Sequence, residues 1–239
     1  MPNRVVAIIP ARGGSVRVTK KNIRLLRDKP LIYYAIQAAK DTHVIDRIIV
    51  STDDEEIKEV ALKYGAEVPF IRPPEFCGDC PTEDVVIHAI EWLAENDDYH
   101  PNIVVCLEPP QPFRTAKHIT RCLDEFKDDW EIDSVVTVTP ISERPEWMVR
   151  LKEDCRIKPY TSHFGKAPHP LLKFPASQEF EPLYYVNGIV FACRTKVLFE
   201  YRSLVGRYCV GVVTEREDNF SLDWPIDFEV CELLMKERE

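Results

Sequence analysis

Residues 9–22 read Ile-Pro-Ala-Arg-Gly-Gly-Ser-Val-Arg-Val-Thr-Lys-Lys-Asn, a stretch suited to holding a polyphosphate. Gly13 and Gly14 let the backbone approach a ligand closely and turn its amide hydrogens inward, forming an anion-binding concavity. From Arg12 to Lys29 there are seven basic residues and one acidic residue, Asp28. That is a net charge of +6 inside a chain whose formal net charge is -9. Several fixed cations suit a triphosphate, whose charges repel one another and grow on the leaving pyrophosphate as the α-phosphorus changes partner. Arg12 and Lys21 are the candidates for that work. Neither G-x-x-x-x-G-K-[ST] nor G-x-G-x-x-G is present, which disfavours a P-loop nucleoside triphosphatase and a dinucleotide dehydrogenase.

Other reactive residue types offer less. Cys77-Gly-Asp-Cys80 has the spacing of a zinc or redox pair, but no second pair accompanies it, and an ordinary turn is the better reading. The six histidines form neither H-E-x-x-H nor H-x-G-H, so zinc-protease and histidine-type nucleotidyltransferase chemistry both lack their motif. Ser15 has no G-x-S-x-G elbow around it, and phosphate contact is a sufficient role.

The elements that must position the basic loop follow from hydrophobic periodicity. Apolar strand-like runs at Val5–Ile9, Ile48–Ser51, Glu67–Ile71, Ile103–Leu107 and Ser134–Val138 alternate with helical patterns. Those helices are predicted at about Leu31–Lys40, Glu55–Tyr64, Glu83–Glu95 and Ala116–Lys127. Asp53 with Glu56 resembles a capping box, and Gly65 stops that helix. The alternation predicts an α/β fold, a doubly wound and mostly parallel sheet covered on both faces. The basic loop then lies at the carboxyl end of the first strand, where such sheets bind ligands. From about 140 to 183 the pattern gives way to a proline- and aromatic-rich stretch, read as an irregular arm inserted in a single domain spanning 1–239. Regular structure resumes with a strand at Gly188–Cys193, a helix from Thr195, a strand at Val210–Val213 and a helix at about Ile226–Glu237.

At 239 residues and 45% hydrophobic content the chain can bury a sizeable core. Its negative charge argues against a nucleic-acid or anionic-membrane binder, and no stretch approaches membrane-spanning length. With no signal-peptide pattern and eight scattered cysteines, a cytoplasmic protein with reduced thiols is expected.

From the loop onward, the chain resembles the cytidylyltransferases that activate acidic sugars, especially the acylneuraminate (CMP-sialic acid synthetase) type and more distantly the CMP-Kdo synthetases. The loop Ile9–Ser15 and the pair Lys21-Asn22 match. In order follow I-I-V-S-T-D (Ile48–Asp53), I-R-P-P-E-F (Ile71–Phe76) leading to Asp79, and L-E-P-P-Q-P-F-R (Leu107–Arg114). Y-V-N-G (Tyr185–Gly188) and S-L-D-W-P-I-D-F (Ser221–Phe228) complete the series. The resemblance implies transfer of CMP from CTP to the anomeric hydroxyl of an acidic, nonulosonic sugar, with pyrophosphate released and Mg²⁺ required. It implies nucleotide contacts at Ala11, Arg12, Gly13, Gly14, Ser15, Lys21, Asn22, Arg72 and Asp79, with Arg72 near the cytosine ring. Acceptor contacts are implied at Glu108, Gln111, Arg114, Gln178, Tyr185 and Asn187. Asp223 aligns with a metal-binding aspartate, with Asp227 as a second candidate ligand, and Arg12, Lys21 and Asp223 form the implied catalytic set.

The departures bear on the acceptor and the metal. Ser221 stands where the family carries its earlier metal aspartate, and Val16 and Thr19 replace a usual lysine and proline. Glu108 replaces the glutamine of the L-Q-P motif, Ser177 stands where an arginine is usual, and Tyr185 replaces a residue that is often basic. A different acidic acceptor (Kdo-type or phosphonate) and a catalytically impaired CTP-binding protein are the alternatives. The aromatic residues around the arm, Trp147, Phe164, Phe174, Tyr184 and Tyr185, together with His163 and His169, fit a homodimer whose arms reach the neighbouring active site.

Overall fold

The computed structural model describes residues 4–160 and 181–238. Six strands form the main sheet: β1 (Val5–Pro10), β2 (Arg47–Ser51), β3 (Ile103–Cys106), β4 (Ser134–Pro140), β5 (Tyr184–Arg194) and β6 (Cys209–Val213). Their spatial order is β6-β4-β5-β3-β1-β2. β1 pairs in parallel with β2 and β3, and β6 in parallel with β4, whereas β5 runs antiparallel to β3. The helices are α1 (Leu31–Lys40), α2 (Glu55–Lys63), α3 (Thr82–Asp97), α4 (Ala116–Asp128), α5 (Thr195–Tyr201) and α6 (Pro225–Glu237). The doubly wound, mostly parallel sheet expected from the periodicity is the one observed.

The sheet's two faces explain why its strands read as unbroken apolar runs. Side chains alternate along a strand, so Val5, Ala7 and Ile9 join a core with α1, α2 and α4. Val6 and Ile8 point the other way, into a core with α3 and Leu198 of α5. Because both faces are covered, neither parity of β1 can be polar.

Two local expectations are corrected. The run Glu67–Ile71 forms only a bridge, Ile49 to Glu67, because Pro69 has no N–H with which to continue a ladder. The cap of α2 is Asp54, not Asp53: its carboxylate accepts from the Glu56 and Ile57 amides. Gly65 does leave that helix at φ +86.

A third apolar cluster matters most for the site. Val18, Leu26, Leu31, Phe113, Leu222, Phe228 and Cys231 pack together, binding the basic segment to α6 and to the chain just before it. Leu222 is fully buried, and such burial stabilises by about 2 kcal/mol. That anchorage fixes its neighbours Ser221 and Asp223.

The chain divides into two compact units, Met1–Val138 with Val186–Glu239, and Thr139–Tyr185. Within the second, Val149–Leu151 and Ile157–Pro159 form an antiparallel hairpin, and Ile141 N–H donates to the Leu183 carbonyl at 3.1 Å. Met148, Leu151 and Tyr160 are exposed there. His163, Phe164, His169, Phe174, Ser177 and Gln178 lie outside the described residues.

Candidate active site

β1 ends at Pro10, and the loop that follows is tied to β2 and to the turn after it. Ala11 is fully buried and donates its N–H to the Ser51 carbonyl at 2.9 Å. Gly13 N–H donates to Asp53 Oδ1 at 2.7 Å, which is the work of the carboxylate that does not cap α2. A Cβ on Gly13 would stand 2.6 Å from Asp54 Oδ2, and that carboxylate is pinned by the α2 amides. Glycine is therefore required by close approach. Gly14 faces open space, and Ser15 N–H closes the turn on the Gly13 carbonyl at 2.9 Å.

The cations converge on a cleft of about 470 Å³ lined by Arg12, Ser15, Arg17, Lys21, Arg72 and Asp223, among others. Asn22, buried, donates its Nδ2 to the Arg12 carbonyl at 2.9 Å. It holds the loop from behind while its backbone presents Lys21. Lys21 Nζ lies 3.2 Å from Asp223 Oδ1 and 3.1 Å from the Leu222 carbonyl, with its side chain only 17% exposed. Arg17 Nη2 lies 3.7 Å from the same Oδ1, and its guanidinium sits 5.4 Å from the Trp224 ring centroid. Arg12 donates Nη1 to the Gly78 carbonyl and lies 3.4 Å from the fully exposed Asp79 carboxylate. So exposed an ion pair adds little stability, which leaves the guanidinium exchangeable to a stronger anion.

Arg72 is built differently. It is buried, with Nε on Ser51 Oγ at 3.1 Å and Nη2 on the Ser51 carbonyl. Burial pushes its pKa down, against the attraction of Asp53. With Nε and Nη2 occupied, Nη1 remains without a partner among the described residues. A rigid donor aimed by two bonds suits reading of a flat base edge.

Asp223 lies beside Lys21 in the cleft. Desolvation opposes its charge, but Lys21, Ser221 Oγ at 3.1 Å and Arg17 outweigh it and hold the carboxyl below its usual range. Asp227, the second candidate metal ligand, is engaged elsewhere: its Oδ2 accepts from the Asp223 and Trp224 amides at 2.7 and 2.6 Å, capping α6. The described residues contain no cluster of three or more His, Cys, Asp or Glu side chains arranged for a metal. One carboxylate beside the loop cations, Asp223, fits an ion such as Mg²⁺ that keeps waters and takes most of its oxygens from phosphate.

Glu108 and Gln111 also line the cleft, and the Pro110 carbonyl between them in sequence accepts from Leu222 N–H at 2.9 Å. Thr82 Oγ1, at the start of α3, donates to Glu108 Oε1 at 3.2 Å. Arg114 and Asn187 stand behind this wall. Arg114 is buried and donates Nη2 to the Glu108 carbonyl at 2.7 Å and Nε to the Ile189 carbonyl at 2.5 Å. Burial lowers its pKa to about 10. Asn187 Nδ2 donates to Thr214 Oγ1 at 2.8 Å, and its Oδ1 accepts from Thr137 Oγ1 at 2.6 Å and from Ile189 N–H at 3.1 Å. Both residues brace the wall. Tyr185 lies exposed in the second compact unit.

Arg17 and Thr82, which make polar contacts in the cleft, were absent from the site set read from the sequence. Arg17 appeared there only as part of the basic run, and its spacing of four from Lys21 does not reveal that both meet Asp223. Thr82 carried no sequence signal, because its partner Glu108 is 26 residues away.

Comparison with known proteins yields consistent matches. A family model described as Cytidylyltransferase matches residues 6–229. The chain is 33% identical over 236 residues to a CMP-N,N'-diacetyllegionaminic acid synthase of Legionella pneumophila, covering 98% of this chain and 97% of that protein. It is 28% identical over 232 residues to an N-acylneuraminate cytidylyltransferase of Escherichia coli, covering 97% of this chain and 52% of that longer protein. In fold it is similar to the solved structure of CMP:2-keto-3-deoxy-manno-octonic acid synthetase complexed with CTP. That likeness has a TM-score of 0.71 at 18% identity, over 99% of this chain and 100% of the other.

Proposed function

The chain belongs to the cytidylyltransferase family, and we propose that it transfers CMP from CTP to the anomeric hydroxyl of an acidic, nonulosonic (sialic-acid-like) sugar, releasing pyrophosphate. The observation that carries this reading is the one cleft lined by Arg12, Lys21, Arg72 and Asp223 together with Glu108 and Gln111. In the reaction the anomeric oxygen bonds to the α-phosphorus as the bond from that phosphorus to the bridging oxygen breaks. The configuration at phosphorus inverts, the hydroxyl proton passes to solvent, and pyrophosphate departs with the electron pair.

Arg12 and Lys21 hold the phosphates and meet the charge that grows on the leaving group, assisted by Ser15 and Arg17. Asp53 and Asn22 keep the loop in shape for this. Arg72 offers Nη1 to the O2 and N3 acceptors that mark cytosine. Asp223, with Ser221 beside it, is the carboxylate that would hold Mg²⁺, which when bound neutralises phosphate charge.

The exposed apolar side chains of the second unit, Met148, Leu151 and Tyr160, support a homodimer, to be checked by the mass of the protein in solution. The free state of all eight cysteines supports a reducing, cytoplasmic setting.

The test is pyrophosphate release with CTP and Mg²⁺ across sialic, legionaminic, pseudaminic and Kdo-type acids. Release with at least one nonulosonic acid, and weaker release with UTP or ATP in place of CTP, is expected. Silence across the set refutes the acceptor class.

A further inference from the structure

We propose that the molecule carries a second anion site, for a phosphate ester borne on a planar ring, in a groove separate from the catalytic cleft.

The basic run from Arg12 to Lys29 holds more charge than the cleft uses. Arg12, Arg17 and Lys21 line the cleft, Lys20 pairs with Glu56, and Arg24 lies over the Phe228 ring. Arg27 and Lys29 line a different groove of about 380 Å³, which has no lining residue in common with the cleft. Small-molecule sites span roughly 300 to 1,000 Å³, so the groove is large enough for one.

Local geometry explains why the end of the run turns away. Leu26 pairs with Lys29 in a short antiparallel hairpin, Leu25–Leu26 against Lys29–Pro30, which leaves Arg27 and Asp28 as its two-residue turn. Arg27 takes φ +58, at a turn position where glycine is the usual residue. Its N–H donates to Glu232 Oε1 at 3.1 Å and ties the hairpin tip to α6. A long cationic side chain kept on a left-handed backbone points to a use for that side chain.

Arg238, just past α6, brings the third cation. Its guanidinium lies 4.0 Å from the Phe113 ring centroid and bonds Asp218 Oδ1 at 3.1 Å and the Glu217 carbonyl. Lys29 Nζ lies 5.7 Å from the Tyr33 ring centroid and 3.3 Å from Asp28 Oδ2. Asp28 is the one carboxylate in the lining, and its side chain is 80% exposed, so the pair adds little stability and opens to a stronger anion.

Tyr33, Tyr34, Phe113 and Met235 complete the lining. The two tyrosines meet edge to face at 5.4 Å, and Tyr34 Oη donates to the Leu26 carbonyl at 2.8 Å, which fixes that ring. Guanidinium forks match phosphate oxygens bidentately, and aromatic rings with a thioether match a flat apolar body. A bare phosphate leaves the rings unused, and a neutral ring leaves the cations unused. The groove therefore suits the two joined in one molecule.

Calorimetric titration of phenyl phosphate, a minimal ester of this kind, tests the site. It should bind the unaltered chain at least about tenfold more tightly than inorganic phosphate or phenol does. Arg27→Gly keeps the N–H that bonds Glu232 and suits the left-handed backbone. Its thermal midpoint should therefore hold or rise, while phenyl phosphate binding weakens by about tenfold or more. Lys21→Ala, which removes a cation of the catalytic cleft, should leave that binding within about twofold, and Arg27→Gly should leave the CTP KM within about twofold. Binding kept in Arg27→Gly and lost in Lys21→Ala would put the ester in the catalytic cleft and overturn the second site. No binding by the unaltered chain, or inorganic phosphate bound as tightly as the ester, would overturn it as well.

Discussion

The basic loop and the Glu108–Gln111 wall of the cleft are made in opposite ways. In the loop one stretch, Ala11 to Asn22, supplies the turn and most of the cations, and its charges are paired with Asp79 and Asp223. The wall draws on two distant places, Thr82 at the head of α3 and Glu108 with Gln111 after β3. A site for a ligand of high, invariant charge can be written as one cationic loop. A wall drawn from separate segments is held by hydrogen bonds between them, which depend on what the surrounding chain has already satisfied.

If the loop and the wall act independently, disturbing one should spare the other. Arg114→Leu carries the largest expected effect, because it leaves the Glu108 and Ile189 carbonyls without their donors. Stability should fall by about 3 kcal/mol, read from urea unfolding, and acceptor use should fail while the folded fraction still binds CTP. Loss of CTP binding in step would show that loop and wall act as one unit.

Lys21→Ala comes next. It should lower kcat/KM for CTP by at least about tenfold, or about 1.4 kcal/mol of transition-state stabilisation, with little change in acceptor KM. Gly13→Ala should raise the CTP KM by roughly threefold to tenfold, because the new methyl must displace the loop from Asp54. A neutral result there would mean that the loop relaxes freely.

The smallest effect concerns His118, which ties the head of α4 to Asp218. Its Nδ1 accepts from Thr115 N–H at 3.1 Å and its Nε2 faces Asp218 Oδ2 at 3.2 Å. Burial lowers its pKa below 6.5, against the pull of Asp218. The neutral ring's contribution is then complete above the unfolded value and is lost as pH falls through the lower folded one. Thermal midpoints should therefore drop more steeply on acidification in the unaltered chain than in His118→Gln. Parallel curves would remove His118 from the account.

What could be read in the chain itself follows the same division. The helix Leu31–Lys40 and the alternating strands were legible because their periods reflect burial on one face or on both. The basic loop was legible because Gly13, Gly14, Arg12 and Lys21 are close in sequence. The carboxylates were not. Asp53 and Asp54 are adjacent and chemically alike, and only the geometry shows that one holds Gly13 while the other caps α2. Asp227 offers the same lesson, since its oxygen is taken by backbone amides. Gln111 and Glu108 were nameable as residues, but the bonds that hold them run to Asn187 and Thr82.

The claim beneath all of this is that Lys21 and its neighbouring cations grip the triphosphate and not merely the nucleoside. Calorimetric titration of CTP and of cytidine into the unaltered chain and Lys21→Ala tests it most directly. The account predicts that the substitution weakens CTP binding by about tenfold or more while leaving cytidine binding within about twofold. Equal losses for both ligands, or none for CTP, would contradict it.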